Sequence, residues 1–167
     1  ELQAITSVVA RLVVTAAGGV ASPALTPADF ALIGIAGVTN SNLAAVIAAI
    51  AATTDNGSGI DSLAKLQANV DAGISAARGA SQAIISSYTG SNTAPGLSDF
   101  ENIGVTGVDS ANIAAVNTFI AYESAADTDS QAEVQALVDA YAKVVALANG
   151  AADSGVPLTT AEFSSLG

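Results

Sequence analysis

Residues 32–50 read "LIGIAGVTNSNLAAVIAAI", and residues 102–120 read "NIGVTGVDSANIAAVNTFI". In both, an Ile-Gly step followed by Ile or Val leads to "GV", then a polar cluster ending in Asn, then apolar residues at spacings of three and four. Leu43, Val46, Ile47 and Ile50 of the first stand opposite Ile113, Val116, Asn117 and Ile120 of the second. That spacing predicts an amphipathic helix opened by a polar turn, with Thr39 and Asp109 as its N-caps. Self-similarity at a fixed distance predicts a repeat architecture.

Two further blocks recur around it. One is "LTPADFALIG" (25–34), "LSDFENIG" (97–104) and "LTTAEFSSLG" (158–167). It predicts a short helix capped at Thr26 or Thr159, with Pro27 in its first turn and an acid (Asp29, Asp99, Glu162) near its positive end. The Gly of "IG" stops it in a left-handed conformation. The other block is "ELQAITSVVARLV" (1–13), "KLQANVDAGISAA" (65–77) and "EVQALVDAYAKVV" (133–145). It predicts a long helix starting at Asp61 or Asp129, with Ser130 and Glu133 as a capping box. Leu63, Leu66, Val70, Ile74, Ala77, Ser81 and Ile84 form one apolar face, and Val134, Leu137, Val138, Tyr141, Val145 and Ala148 the other. Gly73 and Gly79 lie inside the first copy, where a glycine marks close packing or a bend.

The expected fold is therefore all-α, a tandem of short three-helix units with a period of roughly 65–70 residues. The parts are a third-helix fragment at 1–24, units at 25–96 and 97–157, and a first-helix fragment at 158–167. Beginning and ending inside a unit is the order expected of a segment of a longer array. Phe30, Phe100 and Phe163 recur at one position of the unit and read as core anchors.

Composition restricts function. Fifteen acidic residues against four basic ones give a formal charge of −11, which argues against nucleic-acid binding because phosphates need cations. The chain has no Cys and no His, so thiolate chemistry and the commonest general base are missing. The acid pairs Asp99/Glu101 and Asp127/Asp129 fall at predicted helix starts, where carboxylates cap. No catalytic residue is expected. Residues 30–54 are uncharged and long enough to span a bilayer, but the Asn40-Ser41-Asn42 turn interrupts them, so no membrane insertion is expected.

One motif suits a metal. "DNGSGID" (55–61) alternates acids and glycines, and Asp55 and Asp61 with backbone oxygens could wrap Ca²⁺; a plain turn ending in an Asp61 cap is the other reading. No other cofactor is expected. Asn56-Gly57-Ser58 also fits a glycosylation sequon.

The run "GIAGVTNSNLAAVIAAIAATTDNGSGIDSLAKLQANVDA" (34–72) resembles the GA-like three-helix modules, including the albumin-binding modules of bacterial surface proteins. The resemblance implies tandem modules of very large secreted proteins and adhesins, located outside the cell or on its surface. It also implies that a protein-binding surface would lie on the second helices, from Thr39 to Ile50 and from Asp109 to Ile120. Albumin-binding modules are Lys-rich, whereas each unit here holds one Lys.

The expected role is that of a non-enzymatic structural repeat region, a stalk or spacer of an adhesin or a fibre-forming unit. The alternative is a module that captures a host or partner protein. The apolar faces of the terminal fragments, Leu2, Ile5, Val9 and Leu12 at one end and Phe163 and Leu166 at the other, are expected to dock on neighbouring repeats or on copies of the chain. A head-to-tail contact whose rotation does not close makes a fibre.

Overall fold

The structure, a computed structural model, describes residues 2–53, 57–150, 157–164 and 166. All regular structure among these residues is helical: α1 (Leu2–Ala16), α2 (Pro27–Leu32), α3 (Leu43–Ala51), α4 (Leu63–Ser86), α5 (Leu97–Ile103), α6 (Ile113–Tyr122), a 3₁₀ turn (Ala125–Asp127), α7 (Gln131–Ala148) and α8 (Thr160–Ser164). No described helix is long and apolar enough to cross a membrane. The uncharged run 30–54 is divided between α2 and α3 by a turn at residues 40–42.

The chain forms two compact units, residues 1–78 and 79–167. The boundaries expected at 24/25 and 96/97 therefore fall inside these units. The reason is burial. In the first unit α1 sends Val8, Leu12 and Ala16 into the core. There they meet Phe30 of α2, Val46 and Ile50 of α3, and Leu66 and Val70 of α4. The second core holds Ile85 of α4, Phe100 and Ile103 of α5, Val116 and Ile120 of α6, and Val134, Leu137 and Val138 of α7. Phe119 and Tyr141 pack at its edge as a tilted ring pair with centroids 5.7 Å apart.

Local chemistry sets the helix ends. Gly34 and Gly104 both take φ +81°, the left-handed stop expected of the "IG" step. The next amides, Ile35 N–H and Val105 N–H, donate back to the carbonyls of Phe30 and Phe100 at 2.9 Å. Ser130 and Glu133 form the expected reciprocal cap: Ser130 N–H donates to Glu133 Oε2 (3.0 Å) and Glu133 N–H to Ser130 Oγ (3.3 Å). In α4 the cap is Ser62, whose hydroxyl accepts from Lys65 N–H, and Asp61 lies one residue outside.

Three expectations about register are corrected. First, α3 and α6 begin at Leu43 and Ile113, four residues beyond Thr39 and Asp109. Asn42 and Asn112 hold the intervening turn closed. Each accepts from the amide of residue 39 or 109 at 2.9 Å and donates to the carbonyl of Gly37 (2.9 Å) or Gly107 (2.7 Å). Second, the buried stripe of α4 runs through Leu66, Val70, Ala77, Ser81 and Ile85. Leu63 and Ile84 are exposed: the buried positions advance in steps of four from Ala77 through Ser81 to Ile85, which turns the stripe around the helix toward the second core that Ile85 enters. In α7 likewise, Val145 and Ala148 lie in solvent. Third, Leu97 does not repeat Leu25. It is the first residue of α5 and exposed, and the buried place of Leu25 is taken by Pro95, two residues earlier.

Candidate functional site

In the first unit, α1, α2 and the start of α4 leave a groove of about 420 Å³. Ile5, Val9, Leu12 and Val13 line one wall, Leu32 and Ile33 a second, and Ile60, Leu63 and Leu66 a third. Asp61 and Ser62 are the polar members of the rim. Helix geometry explains the lining: residues 5, 9, 12 and 13 follow the three- and four-residue spacing that puts them on one side of α1. Leu12 closes the floor at 2% exposure, while Val9 (47%) and Leu63 (61%) stand on the rims. A pocket of this volume with aliphatic walls and few polar groups is suited to apolar contact and carries no set of convergent catalytic groups.

The residues expected at an interface separate into two sets. Ile5, Val9 and Leu12 come together in this groove. Leu2, at 79% exposure, does not line it. Phe163 (58%) and Leu166 lie in the second unit, where α8 packs on α7. Phe163 is thus no core anchor, unlike Phe30 and Phe100, which are fully enclosed. Sequence reading missed Leu32, Ile33, Ile60 and Leu63. For Leu32, Ile60 and Leu63 the available signal was an apolar residue where the matching stretch of sequence has Asn102, Thr128 and Gln131; Ile33 matches the apolar Ile103 and gave none.

Electrostatics concentrate where a long helix meets the next short one. Arg11 Nη1 donates to Asp29 Oδ2 (3.1 Å) and to the Ala24 carbonyl (3.2 Å). The Arg11 guanidinium holds the Asp29 carboxyl down at about 2, with the Thr26 hydroxyl and amide assisting. Lys143 Nζ donates to Glu162 Oε1 and to the Pro157 carbonyl, each at 3.0 Å. Glu162 is held below the usual carboxylate range first by Thr159 N–H and then by Lys143. At the corresponding place between α4 and α5, Ser81 Oγ donates to Asp99 Oδ1 (2.9 Å).

The other candidates are accounted for as follows. Asp55 and Asn56 lie outside the described residues, so the Ca²⁺ motif and the sequon are not seen whole. Asp61 is exposed and accepts from Lys65 Nζ at 2.9 Å. Among the described residues no three His, Cys, Asp or Glu side chains come together as a metal group. Asp99 accepts from Gly96 N–H as a helix cap, and Asp127 from Ser124 Oγ. On the second helices, Leu43 and Ile113 pack against the two cores, and what faces solvent is Ala44, Ala48 and Ala51 of α3 and Ala114, Thr118 and Tyr122 of α6. No family model, no curated protein and no solved structure matches the chain.

Proposed function

We propose that this chain is a non-enzymatic structural repeat region, a tandem of short three-helix units that serves as a self-associating stalk or spacer of a long secreted or cell-surface protein. The observation that carries the reading is a recurring set of polar clamps. Gln67 Oε1 accepts from Ala36 N–H (3.0 Å), and its Nε2 donates to Ala36 O (3.2 Å). Gln135 does the same to Thr106, at 2.8 and 3.1 Å. Asp71 and Asp139, one turn on, each accept from the glutamine amide at 2.8 Å. The same side chains serve the same backbone positions about seventy residues apart, which is what a reiterated building unit requires.

Two more observations favour a building unit over a capture module. Along α3 the fully exposed side chains are alanines, and on α6 they are Ala114, Thr118 and, at its last position, a single aromatic, Tyr122, whereas binding hot spots cluster several large side chains. The polar groups of the clamps are consumed in holding the fold. The placement outside the cell rests on the resemblance to GA-like modules.

The test is small-angle X-ray scattering on one, two and four copies of the chain joined end to end. A spacer lengthens by a constant increment per copy. A maximum dimension that stays flat as copies are added overturns the reading.

A further inference from the structure

We infer that the first half of α1 is the closing helix of a further unit of this repeat: it receives a short-helix, glycine-loop and second-helix segment patterned like residues 97–122, whose loop Gln3 clamps. This rests on the structural-repeat reading and names the surface and the partner through which one unit joins the next.

The start of α1 repeats the start of α7. Residues 1–14, ELQAITSVVARLVV, align without a gap on residues 133–146, EVQALVDAYAKVVA. A glutamine and a cation stand eight residues apart in both, Gln3 with Arg11 and Gln135 with Lys143. Each cation reaches the acid of the short helix that follows. In α4 the clamp residue Gln67 and the residue that bonds the next acid, Ser81, stand fourteen apart. The register of α1 is therefore that of α7 and not that of α4.

That register identifies the residues of α1 that close a unit. In α7 they are Val134, Leu137 and Val138, buried in the second core with residues of α5 and α6. Beside them Gln135 clamps Thr106, two residues past the left-handed Gly104. The same positions of α1 hold Leu2, Ile5 and Thr6, with Gln3 beside them. Leu2 is 79% exposed where Val134 is wholly enclosed. The Gln3 carboxamide is exposed and holds no hydrogen bond among the described residues, whereas Gln67 and Gln135 each use theirs on a backbone N–H and C=O of their own unit. One exposed leucine is ordinary on a protein surface. A leucine in register with a clamp glutamine, on a helix whose matching residues are covered elsewhere in the chain, is a face built to be covered.

Complementarity sets the occupant. A carboxamide offers one acceptor and a donor group, which both clamps spend on the residue two past a left-handed glycine. The apolar positions beside it take the inner side of the second helix, Val116 and Ile120 in the second core. A segment like 97–122 supplies both at the spacing that the α7 register closes on. Two positions of α1 differ from α7. Thr6 keeps the β-branched shape of Val138, and the hydroxyl of Ser7 can accept from the glutamine amide as Asp139 does.

The test supplies the segment. Residues 79–132 are placed directly ahead of Glu1, so that Ala132 precedes Glu1 as it precedes Glu133, and the extended chain is compared with the parent by amide hydrogen exchange and urea unfolding. The expected result is slow exchange in the added copies of α5 and α6 and a steeper urea dependence from the extra buried surface. Leu2→Asp and Gln3→Ala each speed exchange in the added segment at least about tenfold. Val20→Asp changes an exposed residue elsewhere and leaves that exchange unchanged. In the parent chain none of the three shifts the urea midpoint. An added segment that exchanges like an unfolded chain overturns the assignment. So does a protected segment indifferent to Leu2→Asp and Gln3→Ala. So does a parent chain that forms, in sedimentation equilibrium, a dimer broken by Leu2→Asp, which puts a second copy on the face. A spacer whose units do not touch still lengthens by a constant increment in scattering, so failure here leaves the spacer reading standing. Protection of the added segment with a flat maximum dimension fails the spacer reading alone.

Discussion

Arg11 reaches from the middle of α1 to the Asp29 carboxylate at the start of α2, and Lys143 of α7 makes the same reach to Glu162 of α8. In both cases the cation also takes a carbonyl of the connecting segment, so one side chain secures the acid and the loop that presents it. The pair sits at a helix N-terminus, where the carboxylate also faces the positive end of the dipole.

Stability below neutral pH follows from Asp29. Its carboxyl is depressed from 3.8 to about 2 in the folded chain. Its contribution is therefore complete above about pH 4 and is lost as pH falls through about 2. Solvent access reduces it to the order of 1 kcal/mol. Urea midpoints measured from pH 5 to pH 2 should fall less steeply in Asp29→Asn than in the parent chain. Identical slopes would show that the pair does not couple to folding.

Two glycines of α4 should respond in opposite directions. A Cβ on Gly73 would lie 2.6 Å from Val46 Cα, backbone that cannot swing away. Gly73→Ala should cost about 1–3 kcal/mol as α3 and α4 are forced apart. A Cβ on Gly79 meets nothing within 4 Å. Gly79→Ala should stabilise by about 0.5–1 kcal/mol through the unfolded chain's lost freedom. Thermal melts of the two variants decide this.

The glutamine clamps should be measurable one at a time. Gln67→Ala removes both bonds to residue 36 and should cost about 1–2 kcal/mol in denaturant unfolding. Gln135→Ala should cost a similar amount in the second unit. If Gln67→Ala melts with the parent chain, water replaces the clamp without loss.

The three repeated phenylalanines should separate. Phe30→Ala or Phe100→Ala empties a fully buried site and should cost about 3–5 kcal/mol. Phe163→Ala should change stability by less than about 0.5 kcal/mol, since its ring faces solvent. An equal loss at all three would place Phe163 in a core.

Helical class, the glycine stops at 34 and 104 and the Ser130 cap were legible because each depends on neighbours within one turn, and the Phe30 and Phe100 anchors because a large apolar residue recurs in matching stretches. The start of α3 and α6 was not. Thr39 and Asp109 are good cap residues, but the amide of Asn42 or Asn112 bonds back to the glycine carbonyl and holds an extra turn before the helix. The same Asn clamp occurs at Asn92, which bonds Thr89 N–H and the Ser87 carbonyl just past the end of α4, where no helix follows. A local motif of this kind closes a turn without dictating what comes next. The groove was half legible. Ile5, Val9 and Leu12 share a helical face, but Leu32 and Leu63 join them only once three separate helices are placed.

The Gln67 carboxamide spends an acceptor and a donor on the amide N–H and the carbonyl of one residue thirty-one positions away. In a chain without cysteine, this acts as a crosslink made from an uncharged group. No reductant opens it, no oxidant is needed to form it, and no proton titrates it. The Gln135 staple is of the same kind, so these two fastenings are indifferent to redox potential and to acidity, while the Arg11 and Lys143 ion pairs remain the acid-sensitive ones.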